Sequence, residues 1–308
     1  MGDVAGIVAP VFALVVLGAA ARYWRLLDLP GLRGLSDLTF YLAIPALLFT
    51  SVVDTPTLHL VDVALIYFAA CVLVFGVAAL LGVRLLGAGL AQAAVLGLNA
   101  AYGNSVMLGV PLVSAAFGPE GLGILLSIVA LHSVLLLPLA TVLIEAEGRA
   151  ARNPVRFLWQ TLPALLRNPV IAVILVALSW RLLGIPVVAP LHRLLAMLAA
   201  AAPTLALFSL GASLPDFAAQ GSARETGLAT VLKLVALPLL VWAAAGLTGL
   251  PPLPTAVAVL TAGMPTGANA FFLARQTGNL ATASAGTVVL STVLSIVTLS
   301  AILAALKP

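Results

Sequence analysis

The sequence predicts an all-α membrane protein in which ten transmembrane helices form two inverted five-helix repeats, with broken helices 4 and 9 crossing. Its 308 residues are 63% hydrophobic and only 8% charged, and the mean hydropathy is +1.22. Soluble domains carry far more charge than this. Apolar runs of about 20 residues, the length that crosses a bilayer as a helix, recur along the whole chain. A charged stretch divides them into five and five.

The apolar runs are separated by short links that contain Pro, Gly or charged residues. We predict a first five-helix repeat over 1–147, a cytoplasmic connector over 148–167 with an interfacial helix at 157–166, and a second repeat over 168–308. The predicted spans 1 to 10 are 4–21, 36–53, 60–86, 91–117, 120–146, 168–185, 192–213, 227–248, 253–275 and 279–305.

The two halves enter the membrane from opposite sides, because each contains an odd number of spans, so any internal similarity is an inverted repeat. The string LAIPALLFTSVV in span 2 resembles LALFSLGASL in span 7. Eleven of the 14 Lys and Arg residues, Lys233 among them, fall at one set of span ends. This positive-inside bias predicts a multi-pass protein of the inner cell membrane with both termini outside, in the periplasm.

Two of the apolar runs carry residues that interrupt a helix. The first, GNSVMLGVP, contains the helix-breaking residues Gly103, Gly109 and Pro111. The second, GMPTGANAFF, contains Pro265. Broken backbone persists in hydrocarbon only inside protein or beside a water-filled cavity. Interrupted helices at corresponding places in two halves indicate the binding site of a transporter.

The half-helix N-termini at such a crossing present unpaired N–H groups and the positive ends of helix dipoles, which bind an anion without a buried Lys or Arg. We therefore predict a site for a small organic anion at the two breaks. The alternative is that the polar side chains only satisfy backbone groups freed by Pro111 and Pro265. The predicted substrate-binding residues are Asn104, Ser105, Thr266, Gly267 and Asn269.

His132 is the one histidine predicted at membrane depth, so it is a candidate for a proton relay. The alternative is a neutral imidazole hydrogen-bonded to a backbone carbonyl. Asp62, at the start of span 3, is the second relay candidate, because neither broken helix contains a carboxylate. Carriers driven by protons or sodium often place a carboxylate there. No metal site and no cofactor are predicted.

Several other function classes lack support in the sequence. The basic residues are scattered among short loops and form no stripe, which argues against a nucleic-acid partner. The chain has no GxSxG, HExxH or P-loop string, so we do not predict an enzyme. The predicted partners are a small organic anion, the lipid bilayer and a second copy of the chain.

The strings around both breaks resemble the auxin efflux carrier family, particularly its bacterial members. GNSVMLGVPLV, which includes Asn104 and Pro111, is similar to the family's Asn–x–x–x–x–Gly–[Ile/Val]–Pro–Leu element in the fourth span. MPTG, which includes Pro265, and the following FFLAR are similar to its ninth-span element. Plant members place a further proline where this chain has Ala270. The resemblance covers essentially the whole chain.

The resemblance implies an elevator-type secondary transporter with a ten-span inverted-repeat fold. Spans 1, 2, 6 and 7 are expected to form a scaffold that dimerises, and spans 3–5 and 8–10 a moving transport domain. Substrates in the family are organic anions: auxin (indole-3-acetate) in plants, and dicarboxylates such as malate or malonate in some bacteria. Three alternatives remain open: a sodium-coupled organic-anion symporter of the bile-acid type, a non-transporting receptor on the same fold, and an intramembrane enzyme.

Overall fold

The computed structural model describes residues 2–54, 61–147, 169–217 and 223–306. Within these ranges the chain is helical, with one isolated β-bridge and no β-strand, so the all-α class is confirmed. The predicted connector and its interfacial helix lie outside the described residues. The α-helices are α1 (Gly2–Tyr23), α2 (Leu29–Leu38), α3 (Ile44–Asp54), α4 (Val61–Leu86), α5 (Leu90–Ala101), α6 (Val110–Glu147), α7 (Pro169–Leu182), α8 (Ala189–Ser213), α9 (Ala223–Val231), α10 (Leu237–Thr248), α11 (Pro252–Ala262), α12 (Ala268–Thr277) and α13 (Ala281–Leu306).

Seven helical stretches of the described residues are long and apolar enough to cross a membrane. They comprise α1, α4, α8, α13, the joined pairs α2–α3 and α9–α10, and the stretch that continues into α6. The apolar helices α5, α7 and α11 are shorter, at 10–17 residues. Two of these, α5 and α11, are the first halves of the interrupted helices. The count of ten spans and their inverted relation therefore stay predictions.

In the part of the chain that the structure describes, three helices widen into a π-helical turn just before a proline. A proline has no N–H and its ring clashes with the carbonyl four residues earlier. A π-helical turn bonds each carbonyl to the fifth residue on, so the helix passes the proline without a break. The turns and the prolines that follow them are Thr39–Ala43 with Pro45, Ser105–Gly109 with Pro111, and Leu232–Ala236 with Pro238.

Helices α1 and α8 cross at a close approach made by two glycines. A Cβ on Gly18 would overlap the backbone of Phe208, and a Cβ on Gly211 would overlap the backbone of Val15. Small residues allow membrane helices to pack backbone against backbone in this way. Helix α3 packs against both α7 and α8, and α2 also contacts α8. Helices α1, α2, α3, α7 and α8 thus form one packed group.

The remaining helices form a second group around the two interrupted helices. Helix α4 packs against α5 and α10, α11 against α6 and α10, and α13 against α9 and α12. Helix α6 turns sharply at Gly118, whose φ of +63° favours glycine, at the link predicted between spans 4 and 5. At its other end, the Glu147 carboxylate accepts hydrogen bonds from the N–H groups of Leu90 (3.1 Å) and Ala91 (2.8 Å). This caps the positive end of α5.

Candidate functional site

The two interrupted stretches lie side by side in the second helix group. The first break separates α5 from the π-helical turn before α6, and the second separates α11 from α12. The Asn104 N–H donates to the Pro265 carbonyl (2.8 Å), and the Gly267 N–H donates to the Tyr102 carbonyl (3.0 Å). These bonds flank an antiparallel bridge between Gly103 and Thr266. Each break therefore supplies hydrogen-bond partners to the other, as unwound backbone in a membrane requires.

Neighbouring side chains satisfy further backbone groups of the crossing. The Thr266 hydroxyl donates to the Asn99 carbonyl (2.8 Å), and the Thr266 N–H donates to the Ser291 hydroxyl (3.0 Å). The Asn99 side-chain amide donates to the Ser284 hydroxyl (2.8 Å). Thr266 is fully buried and does not line the cavity described below. Its position fits the alternative reading of a residue that satisfies freed backbone.

A cavity of about 90 Å³ opens beside the crossing. Four of the predicted substrate-binding residues, Asn104, Ser105, Gly267 and Asn269, line it together with His132. The other helix group contributes apolar side chains to the same cavity. These are Phe40, Val170 and Ile171.

The N-termini of two half-helices face this cavity. The first half-helix begins at Ser105 after its N-cap Asn104, and the second begins at Ala268 after its N-cap Gly267. The first two N–H groups of each half-helix have no acceptor among the described residues. They are the backbone N–H groups of Ser105, Val106, Ala268 and Asn269, and all four residues line the cavity. Positive helix ends with unpaired N–H groups can bind an anion.

Asn104 caps the half-helix that it precedes. Its side-chain Oδ1 accepts a hydrogen bond from the Met107 N–H (3.3 Å), and its backbone carbonyl accepts from the N–H groups of Leu108 and Gly109. The oxygen of Asn104 therefore stabilises the half-helix start. The Nδ2 group of this cavity-lining side chain makes no hydrogen bond with the described residues and is a donor for a ligand.

Asn269 plays a different part from Asn104, because it is the second residue of its half-helix and not the cap. Its Nδ2 donates to the Tyr102 hydroxyl (2.8 Å) across the crossing. The cap itself is Gly267, where a Cβ would lie 2.9 Å from the Tyr102 ring and 3.0 Å from the Gly103 carbonyl oxygen. Glycine at this position permits the close approach of the two chains.

His132 forms a hydrogen bond with the backbone of the first break. Its Nε2 accepts a hydrogen bond from the Gly103 N–H (3.0 Å), so the imidazole is neutral and carries its proton on Nδ1. The neutral, backbone-bonded reading of His132 therefore agrees with the geometry, although the bond is to an N–H and not to a carbonyl. Nδ1 is buried and has no partner among the described residues. The His132 ring lines the cavity.

Three residues named in the sequence analysis, Asp62, Gly109 and Pro111, do not line the cavity. Asp62 is exposed at the start of α4, and the crossing does not include it. Gly109 ends the π-helical turn and Pro111 is the second residue of α6, so the first break lies before both of them. The interruption predicted over Gly103 to Pro111 is thus found at the start of that stretch, at Tyr102 to Asn104, because the π-helical turn accommodates the proline.

Lys233 is the residue that sequence reasoning misplaced. It is not at a cytoplasmic span end but in the π-helical turn between α9 and α10, and its side chain is fully buried. Its Nζ donates to the carbonyl of Ala262, the last residue of α11 (2.5 Å). The crossing therefore contains a buried lysine, contrary to our expectation. A lone lysine in the apolar run TVLKLVALPLL was the available signal. Without Lys233, ten basic residues remain at the predicted inner span ends against three at the outer ends, so the predicted orientation is unchanged.

The described residues contain no cluster of side chains suited to a metal ion. Among residues 2–54, 61–147, 169–217 and 223–306, no group of three or more His, Cys, Asp or Glu side chains is placed to hold a metal ion. The one cysteine of the chain, Cys71, is a buried free thiol.

Comparison with known proteins places the chain in a transporter family. It is 29% identical over 308 residues to the "Putative malonate transporter" of Rhizobium meliloti (strain 1021), with 98% of this chain and 96% of that protein covered. The model of the family described as "Membrane transport protein" matches residues 3–303. This is the auxin efflux carrier-type family that the strings around the two breaks resemble. The chain belongs to the Membrane transport protein family and is a multi-pass membrane transporter.

Proposed function

We propose that this protein is a secondary transporter of small organic anions that bind where the two interrupted helices cross. The observation that carries the proposal is the pair of half-helix N-termini that present four bare N–H groups to one cavity. An anion gains hydrogen bonds and favourable dipole interactions there without a cationic side chain in the cavity lining.

The geometry favours a short dicarboxylate. Two half-helix N-termini, one beginning at Ser105 and one at Ala268, offer one N–H pair for each of two carboxylate groups. The Asn104 amide supplies a further donor. The small cavity volume and the malonate named for the relative support the same class of substrate.

An elevator-type movement is supported by the position of the cavity between the two helix groups. Polar groups of the crossing form one wall, and apolar side chains such as Phe40 and Ile171 of the other group form the facing wall. The α1, α2, α3, α7 and α8 group is proposed as the scaffold and the homodimer interface, and the group around the crossing as the transport domain. Ten spans in two inverted repeats and an inner-membrane location with both termini in the periplasm complete this proposal.

The test is uptake by purified protein in proteoliposomes, with malonate, succinate, malate and indole-3-acetate as substrates and protein-free liposomes as the blank. The informative variant is Asn104→Asp, because an aspartate keeps the N-cap oxygen but places a negative charge at the anion site. We expect its dicarboxylate uptake to fall at least about tenfold, a loss of ~1.4 kcal/mol.

The matched control is Asn279→Asp, which makes the same chemical change in the turn between α12 and α13, away from the cavity. We expect wild-type uptake from it. Equal uptake by both variants and wild type would contradict the site, and no flux with any carboxylate would contradict the function. Tight binding without flux would instead identify the receptor alternative.

A further inference from the structure

Helices α4 and α10 pack against each other and leave an outward-facing groove between them. Small residues line it and leave it open: Ala69 and Ala70 of α4, and Ala244 of α10. The side chains of Leu65 and Leu73, which also line the groove, are 65% and 55% exposed, so the groove faces the surrounding bilayer. The cavity that it forms has a volume of about 390 Å³.

This cavity is apolar along the helices. Among the described residues that line it, Thr248 is the one with a polar side chain, and its hydroxyl donates to the Ala244 carbonyl of its own helix (2.9 Å). The lining therefore presents no unpaired polar side chain to an occupant. An apolar chain gains from such a lining, whereas a polar ligand loses its hydration there without new hydrogen bonds.

A second cavity, of about 420 Å³, adjoins the first at the end of the membrane span. Leu65, Ile66 and Thr248 line both cavities, so the two form one continuous groove. The second cavity is also lined by Asp62, the first residue of the span, and by residues 249–251 of the link between α10 and α11. The groove thus leads from an apolar part within the span to a charged residue at its end.

Asp62 brings a negative charge to this end of the groove without a cationic partner. Among the described residues the ion pairs are Arg22–Asp216 and His192–Asp54, and neither cavity is lined by Lys, Arg or His. A carboxylate in the first turn of α4 also interacts favourably with the helix dipole, but that interaction does not need the groove. A cationic donor in the second cavity would form a charge-assisted hydrogen bond with the carboxylate, whereas an anionic group would be repelled.

The length of the groove matches one leaflet of a bilayer. From Asp62 to Leu73, helix α4 advances about 16 Å, at about 1.5 Å per residue. Half of the hydrocarbon core of a bilayer is about 15 Å thick. A lipid whose headgroup lies at Asp62 would therefore extend one acyl chain along the groove as far as the middle of the bilayer.

We propose that this groove binds phosphatidylethanolamine, a phospholipid with a primary ammonium in its headgroup. The ammonium donates to the Asp62 carboxylate, and one acyl chain lies between α4 and α10. The groove shares no lining residue with the cavity at the crossing, so the proposal does not depend on the transported anion.

The test measures lipid binding to the purified, delipidated protein by native mass spectrometry. The probes are phosphatidylethanolamine, phosphatidylcholine and phosphatidylglycerol with identical acyl chains. The ammonium of phosphatidylcholine is methylated and has no N–H, and phosphatidylglycerol has an anionic headgroup. We expect wild type to bind phosphatidylethanolamine about fivefold tighter than phosphatidylglycerol, the size expected for an exposed ion pair, and also tighter than phosphatidylcholine.

The variant that tests the headgroup contact is Asp62→Asn, which removes the charge and keeps the shape of the side chain. Its control is Asp37→Asn, the same change at an exposed carboxylate of α2 that lines neither cavity. We expect Asp62→Asn to bind the three lipids equally and Asp37→Asn to keep the wild-type preference. If Asp62 served only the helix dipole of α4, both variants would keep the preference, and the inference would be overturned.

The variant that tests the acyl-chain contact is Ala244→Phe, which fills the apolar part of the groove. Its control is Ala243→Phe, the same change at an exposed neighbour on α10 that does not line the groove. Each variant is first checked for a monodisperse gel-filtration peak. We expect Ala244→Phe to bind all three lipids at least about tenfold more weakly, or ~1.4 kcal/mol, and Ala243→Phe to bind them as wild type does.

Equal affinity of the wild type for phosphatidylethanolamine and either other lipid overturns the inference, and so does wild-type lipid affinity in Ala244→Phe. If Ala244→Phe instead changes the oligomeric state of a folded protein, the groove is an interface between copies of the chain and the inference fails. If Ala244→Phe does not fold, the lipid preference of Asp62→Asn decides alone.

Discussion

The two breaks meet as partners but are built differently. At the first break the Asn104 side chain caps the half-helix that follows it, and a π-helical turn carries the chain past Pro111. The second has a glycine cap without a side chain and depends on neighbours, since Ser291 and Asn99 hold Thr266. Both breaks thus bond to neighbouring elements, but only the first has a side-chain cap of its own.

This difference shows that the two asparagines singled out in the sequence are not equivalent. The residue that occupies the N-cap position of the second half-helix, as Asn104 does in the first, is Gly267 and not Asn269. Asn104 serves its own helix end, whereas Asn269 reaches across to Tyr102. Similar strings in two halves of a chain thus reach one cavity by different local solutions.

The change with the largest expected effect on the difference between the two breaks is a methyl group at Gly267, the cap of the second half-helix. Gly267→Ala places a Cβ 2.9 Å from the Tyr102 ring and 3.0 Å from the Gly103 carbonyl, so the two chains must separate. We expect a loss of about 1–3 kcal/mol in stability and nearly complete loss of uptake. Gly103→Ala is the comparison, because its Cβ would meet side-chain atoms only, Lys233 at 3.4 Å and the Ser105 hydroxyl at 3.6 Å. Equal tolerance of both changes, in melting and uptake assays, would refute the asymmetry.

Removing the cap of the first break is expected to have the next largest effect. Asn104→Ala loses the Oδ1 that accepts from the Met107 N–H, which costs about 1 kcal/mol. The melting temperature of Asn104→Ala should therefore fall, while that of Asn104→Asp should stay at the wild-type value although its uptake is lost. A fall for both variants would mean that the cap oxygen is not what stabilises this half-helix.

The link between Asn269 and Tyr102 is expected to contribute less. A hydrogen bond between side chains in a membrane protein is worth about 0.6 kcal/mol on average. A double-mutant cycle of Asn269→Ala and Tyr102→Phe, read out as malonate affinity, should give a coupling of this order. Strict additivity of the two single effects would show that the 2.8 Å contact does not help to form the site.

Pro111→Ala should have the smallest effect, although Pro111 belongs to the most distinctive string of the sequence. The break lies before it, and the helix already accommodates it by the wider turn. We expect uptake within about twofold of wild type, or ~0.4 kcal/mol. If this variant lost uptake as completely as Gly267→Ala, the break would depend on the proline after all.

Much of the fold was predictable, because its cause lies in short stretches of sequence. Long apolar runs become membrane helices, and Gly103, Asn104 and Pro265 mark two places where the backbone leaves the helix. The prolines were less informative. Whether a proline breaks a helix or widens it into a π-helical turn depends on what packs around it, as Pro111 shows.

By itself the sequence determined the all-α membrane class, the two interruptions and the residues that bring polarity to them, since these follow from local backbone preference and from the cost of polar groups in hydrocarbon. Only the tertiary structure decided that the interruptions pair, that Thr266 holds backbone while four bare amides face the cavity, and that Lys233 ends beside Ala262 and Gly103. The reason is that approaches between distant residues are set by helix packing, which no short stretch of sequence encodes alone.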